Sequence, residues 1–233
     1  MEGQLLELVH FVTRWLHVFF GIIWIGHLYY FNFTQGAFMA EADAGTKSGV
    51  LTKLLPRALW WFRWGAMWTM LTGVAMLGFF GKQYYSAEFG WNATGIMILV
   101  GSLLGLTMWA NVWFIIWPNQ KVVIASATQV ANGGAALPEA AASGAKALLA
   151  SRTNTLFSIP MLFFMLSARH LGTVSVTPES NVNLFWGLIL ITWLAIEANA
   201  IKGKLGPITT IKGVITGGFV LTAWIYAVMS FTL

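Results

Sequence analysis

The stretch Leu5–Phe33, LLELVHFVTRWLHVFFGIIWIGHLYYFNF, decides the fold class. A helix rises about 1.5 Å per residue, so about 20 mainly apolar residues cross the hydrocarbon layer of a bilayer. This run is longer than that, enough to tilt or to emerge on one side. It does not read as a cleavable signal, because Glu2 and Glu7 open it, no basic segment precedes it, and it far exceeds a signal's apolar core. Further stretches of the same kind lie at about 58–80, 95–117, 154–170, 183–201 and 208–231. Pro56 leads into the second, Pro118 is expected to stop the third, and Pro160 is expected at most to kink the fourth. The spacing predicts an all-α polytopic membrane bundle of about six transmembrane helices, a single integral membrane domain over residues 1–233. Residues 119–153 are alanine-rich, with Asn132, Gly133, Gly134 and Pro138 in the middle. They predict a cytoplasmic helical loop, two short helices around a turn, too small to be an independent domain.

Composition points the same way. The chain is 58% hydrophobic and 9% charged, with a mean hydropathy of +0.71, whereas a soluble domain carries roughly 25% charged residues to face water. Lipid is therefore the expected solvent. The net charge of +5 is spread between the apolar stretches and forms no basic patch, which argues against nucleic acid as a partner. Cysteine is absent, which excludes disulfides, thiolate zinc sites, iron–sulfur clusters and covalent c-type haem. No HExxH or GxSxG pattern supports a hydrolase.

Lysine and arginine set the orientation. Lys47, Lys53 and Arg57 fall in the first connection, Lys121, Lys146 and Arg152 in the third, and Lys202, Lys204 and Lys212 in the fifth. The alternate connections hold Lys82 and Arg169. The bias predicts both termini outside and a multi-pass protein of a bacterial inner membrane.

Ionisable groups inside a membrane cost about 2.5–3.5 kcal/mol on insertion scales and call for an explanation. The first span holds His10, Arg14, His17 and His27. His10, Arg14 and His17 share one helix face, but His10 and His17 are roughly 10 Å apart along the axis, too far to ligate one metal ion. His170 ends the fourth span on the side where His10 begins the first. A second polar set, His27, Arg63, Asn111 and Glu197, lies toward the cytoplasmic half, where Arg63 and Glu197 are candidates for a buried ion pair. Histidines hold haem b in helical bundles without a covalent motif, and an arginine such as Arg14 suits a haem propionate. Hydrogen-bonded packing competes with ligation for each lone histidine, most strongly for His27. Gly21 and Gly26 would let a flat ring or a second helix approach closely. Trp60, Trp64 and Trp68 recur every four residues as one stripe, for which packing or the membrane interface is the default.

Three runs carry a resemblance over nearly the whole chain: Arg14–Gly26, RWLHVFFGIIWIG; Asn111–Lys121, NVWFIIWPNQK; and Ser151–Met165, SRTNTLFSIPMLFFM. They resemble the membrane domain of the PuuD-type urate hydroxylase family, also called membrane urate oxidase. The LHxxxGxxWxG form at Leu16–Gly26 is also similar to membrane haem proteins of the HemJ and CopD-like kind, in which an early-helix histidine ligates haem. The resemblance implies haem b, with His17 and His170 as iron ligands and His10 and Arg14 as further cofactor-binding candidates. His27 matches no histidine of the pattern. Full-length members carry a C-terminal cytochrome c domain, whereas these residues contain no CxxCH. The expected partners are therefore membrane lipid and a separate cytochrome c or other redox membrane subunit. The expected function is a haem b membrane redox protein, an oxidoreductase that passes electrons from urate or quinol to an external cytochrome. The alternative is a cofactor-free accessory subunit of a larger respiratory or photosynthetic complex. A transporter ranks last, because no duplicated half and no matched pair of broken helices is present.

Overall fold

A computed structural model describes residues 2–86, 90–171 and 174–233. Helix α1 (Glu2–Tyr29) continues through a π-helical turn (Tyr30–Gln35) into α2 (Gly36–Glu41). Helix α3 (Ala44–Gly49) leads through a second π turn (Val50–Leu54) into α4 (Leu55–Phe80). A two-residue antiparallel ladder, β1 (Tyr85–Ser86) with β2 (Gly90–Trp91), precedes α5 (Ala93–Ala110). A third π turn (Asn111–Ile116) joins α5 to α6 (Trp117–Ala131), followed by α7 (Ala140–His170), α8 (Val182–Lys202) and α9 (Ile211–Thr232). The architecture is an all-α membrane-type bundle, as the apolar runs predicted.

Two expectations are corrected. Pro118 does not stop its helix: it sits in the first turn of α6, and helix runs on from Ala93 to Ala131. A proline ring normally clashes with the carbonyl four residues back, and the wider π turn just before it gives that carbonyl room. Asn119 helps by donating its Nδ2 to the Ile115 carbonyl at 2.7 Å. Residues 119–153 do form two helical stretches around the expected turn, but these are not short separate helices. They are the ends of two long ones, α6 and α7, with the non-helical break confined to residues 132–139. Alanine is the best helix former, so an alanine-rich segment that starts inside a helix tends to prolong it. Pro160 is buried inside α7 and does not interrupt it.

Among the described residues, four helical stretches are long and apolar enough to cross a membrane: Gly3–Glu41, Ala93–Ala131, Val182–Lys202 and Ile211–Thr232. Helices α4 and α7 are also long, at 26 and 31 residues, but less uniformly apolar. For α7 the reason is its position. It packs against α5, α6, α8 and α9 and touches α1, so Thr153, Asn154, Thr155, Ser158 and Ser167 are buried against protein rather than lipid. Phe157 and Phe164 of α7 meet Ile96, Met97, Val100 and Met108 of α5 in the core. The outward faces carry large exposed apolar side chains such as Phe11, Ile22, Phe114 and Ile191. Water would penalise such a surface and lipid does not.

Helices α1 and α4 form a second, antiparallel pair, with Phe31 of the π turn that follows α1 edge-on to Phe62 at one end and His17 beside Thr72 at the other. Small residues on α4 make this approach possible. A Cβ on Gly65 would stand 3.0 Å from Ile23 and 3.1 Å from the Trp24 backbone nitrogen. Gly65, Thr69 and Gly73 recur every four residues, the small-residue stripe that lets membrane helices come together. Tyr29 to Ser158 at 2.9 Å and Asn32 to Ser151 at 2.8 Å tie α1 and its π turn to α7.

Candidate functional site

His17 is seated by α4. Its Nδ1 lies 3.1 Å from the Thr72 hydroxyl, and a Cβ on Gly73 would reach to 3.0 Å from its Cε1. The Thr72 hydroxyl has one proton, and backbone carbonyls claim it, Trp68 at 2.7 Å and Thr69 at 3.0 Å. With that proton on a carbonyl, the oxygen is open to accept from a protonated His17 Nδ1. The lone pair of the neutral ring is then on Nε2, the arrangement that a metal-ligating histidine needs, with its other nitrogen held by the protein. Phe20, one turn on, stacks over Trp68 at 5.8 Å and packs the same crossing.

The second centre joins three helical segments. Asn111, at the start of the π turn, donates from Nδ2 to Asn154 Oδ1 on α7 at 3.0 Å and to Glu197 Oε2 on α8 at 3.2 Å. Asn154 donates in turn to the Met108 carbonyl at 2.9 Å. That carbonyl can only accept, so it fixes which end of the Asn154 amide faces it, and the rest of the chain follows. Both asparagines are buried and Glu197 is half-buried. A carboxylate facing a donor aimed by two other helices is suited to holding a proton or a polar group at one place.

The remaining sequence-predicted residues are dispersed. Arg14 Nη2 is 2.7 Å from His10 Nε2; since guanidinium only donates, His10 spends that lone pair on Arg14. His170 is exposed at the end of α7. Both His17 and His170 lie about a dozen residues, roughly 18 Å, beyond the Tyr29–Ser158 contact on antiparallel helices. They are thus level in the bundle, but no contact joins them among the described residues. These residues fit one axial position for a haem, at His17, rather than a formed pair. No cluster of three or more His, Asp or Glu suited to a metal ion occurs among the described residues.

The second polar set divides. Asn111 and Glu197 come together, while Arg63 does not pair with Glu197. Its guanidinium lies over Trp117 at 3.4 Å and Trp113 at 5.6 Å, with Nε donating to the Leu59 carbonyl. An arginine sheds hydration more readily than a lysine, and indole faces satisfy it here without a carboxylate. His27 donates from Nδ1 to the Ile23 carbonyl at 2.7 Å and lines a separate groove. Of the stripe, Trp60, Trp64 and Trp68 are all partly exposed on the outside of α4, as packing or interface residues would be.

Sequence reasoning missed Thr72, Asn154 and Arg152. Asn154 looks like part of a polar helix start in SRTN, and only its partner Asn111 reveals it. Arg152 has buried Nε and Nη1 atoms with no hydrogen-bond partner, and nothing in its local sequence marks this.

The sequence model of the family described as "Urate oxidase N-terminal" matches residues 82–225. No curated protein and no solved structure gives a match. The matched region holds Asn111, Asn154, His170 and Glu197, the whole of the three-helix polar centre. His10, Arg14, His17, His27 and Arg63 lie before it. With most of its length covered, the chain belongs to the urate oxidase N-terminal family.

Proposed function

We propose that this multi-pass protein is a urate hydroxylase-like redox domain that binds haem b through His17 and passes electrons from urate or a quinol to an external cytochrome. Family membership supports the class, and the observation that carries the cofactor is the His17 ring. Its Nδ1 faces the Thr72 hydroxyl, which leaves Nε2 as the nitrogen for iron, and Gly73 lets the ring lie against the α4 backbone. Bound haem would supply the one-electron chemistry. The chain's own residues do the rest: His17 holds the iron, Thr72 fixes the ring, and Arg14, one turn away, neutralises a propionate. Asn111 and Asn154 orient Glu197, which holds the proton released when the reduced substrate is oxidised. His170 is the candidate for a second ligand or a second haem. Six spans with both termini outside, in a bacterial inner membrane, would put the His17 level nearer the outer face, where a separate cytochrome c docks.

The test is electron transfer by the purified protein. Urate or a short-chain quinol is supplied with cytochrome c, and cytochrome reduction is followed spectrophotometrically. Reduction that depends on His17 and Glu197 supports the proposal. No reduction with either donor, from protein made with ample haem, favours a cofactor-free accessory subunit.

A further inference from the structure

A groove of ≈ 610 Å³ opens on the outside of the bundle where α1 meets the start of α4, well within the size of small-molecule sites. Its floor is the helix backbone at Gly26, where an added Cβ would meet nothing within 4 Å. Ala58 and Trp61 form the α4 wall, and His27, Tyr30 and Arg57 stand around the space. The shape is a slot with apolar walls beside three groups that can hydrogen-bond.

The chemistry of those groups selects the ligand. The Ile23 carbonyl accepts from His27 Nδ1 at 2.7 Å, which leaves Nε2 as the ring nitrogen open to a ligand. Arg57 spends Nη1 on the Lys53 carbonyl at 2.6 Å and keeps other N–H groups for a ligand oxygen. The slot thus asks for a flat, apolar ring bearing a hydroxyl that donates to an imidazole and accepts from a guanidinium. A phosphodiester headgroup would satisfy Arg57 through its phosphate oxygens, but it would reach His27 only with a second group, a hydroxyl or ammonium several bonds away, whereas one phenolic hydroxyl serves both. We infer that the groove between α1 and α4 is a binding site for a hydroquinone ring, that is, for a membrane quinol. That the bound quinol donates electrons rests on the redox reading above; that it binds does not.

Calorimetric titration of the full detergent-solubilised chain with 2-heptyl-4-hydroxyquinoline N-oxide, a stable hydroxylated quinol analogue, tests this. One saturable site per chain is expected. Gly26→Leu fills the floor and weakens binding at least tenfold. His27→Phe keeps the ring and removes the acceptor, weakening binding about fivefold, the worth of one hydrogen bond. Trp61→Ala removes a wall without touching α1 and also weakens binding, which keeps the test intact if Gly26→Leu does not fold. Unsaturable binding, or affinity unchanged in the folded variants, overturns the inference. So does competition by phosphatidylglycerol with loss in Arg57→Gln and none in His27→Phe, which would assign the groove to an anionic lipid headgroup. The same titration on His17→Ala separates the two claims: binding retained without haem leaves the quinol site standing whatever becomes of the redox reading.

Discussion

Replacing Asn154 by alanine probes the polar centre most cleanly. The side chain has no solvent exposure and makes two contacts between helical segments, to Asn111 at 3.0 Å and to the Met108 carbonyl at 2.9 Å. Interhelical hydrogen bonds in membrane proteins average about 0.6 kcal/mol each, so the two together contribute about 1.2 kcal/mol. The Met108 carbonyl keeps its bond from the Asn111 backbone N–H, so no orphan acceptor is added there. Deleting the carboxamide leaves a void in a tightly packed helix contact, which costs about 1–2 kcal/mol more. Asn154→Ala should therefore destabilise the bundle by about 2–3 kcal/mol, roughly 30- to 150-fold in the folding equilibrium. Reversible unfolding in mixed micelles, followed by helical circular dichroism, measures it. A cycle with Asn111→Ala should show a coupling of about 0.6 kcal/mol between the two positions. A loss below about 0.5 kcal/mol, or strict additivity of the two changes, would refute the view that this amide chain fastens α5 to α7.

Other consequences are as direct. Gly65→Ala would press a methyl onto the Trp24 backbone, where no side chain can yield; it should cost about 1–3 kcal/mol in the same unfolding assay. Gly26→Ala, whose Cβ meets nothing, serves as its control. Arg63→Lys keeps the charge but loses the planar stack on Trp117, and should cost about 0.5–1 kcal/mol, with Trp117→Leu making the lysine and arginine forms equivalent. Asp43 caps α3 by accepting from the Thr46 amide and hydroxyl, and these bonds hold its carboxyl below the usual value of 3.8. A depressed carboxyl stabilises above its unfolded value and loses that contribution as pH falls through its folded one. Protection of the Thr46 amide, measured as its exchange rate relative to the intrinsic rate at each pH, should therefore fall as acid protonates Asp43, a dependence that Asp43→Ala should abolish.

The fold class was legible because apolar length is a one-dimensional property: Leu5–Phe33 states it without reference to any partner. Helix ends were less so. Pro118 reads as a stop in sequence, yet the π turn before it, invisible in the pattern, lets the helix pass. In the alanine-rich segment 119–153 the turn near Asn132–Pro138 was legible, but not that the helices on either side continue unbroken into the long helices α6 and α7. At the candidate site, the histidines and Glu197 stood out as costly residues in apolar surroundings, but their partners did not. Arg63 and Glu197 looked complementary by charge, while the structure satisfies one with indole faces and the other with an amide. Thr72 is an ordinary residue in helix α4, and its hold on His17 depends on a helix crossing set by Gly65, Thr69 and Gly73. Which polar residues meet is a property of packing, and no spacing along one helix encodes it.

The central claim is that His17 ligates haem through Nε2, and pyridine haemochrome analysis of purified protein tests it most directly. Wild-type, His17→Ala, His170→Ala and Thr72→Val chains would be made with ample haem and compared at equal protein. The account predicts b-type haem in the wild type, its loss in His17→Ala, and reduced occupancy or a shifted spectrum in Thr72→Val. Absence of haem from the wild type, or full occupancy with an unchanged spectrum in His17→Ala, would contradict it.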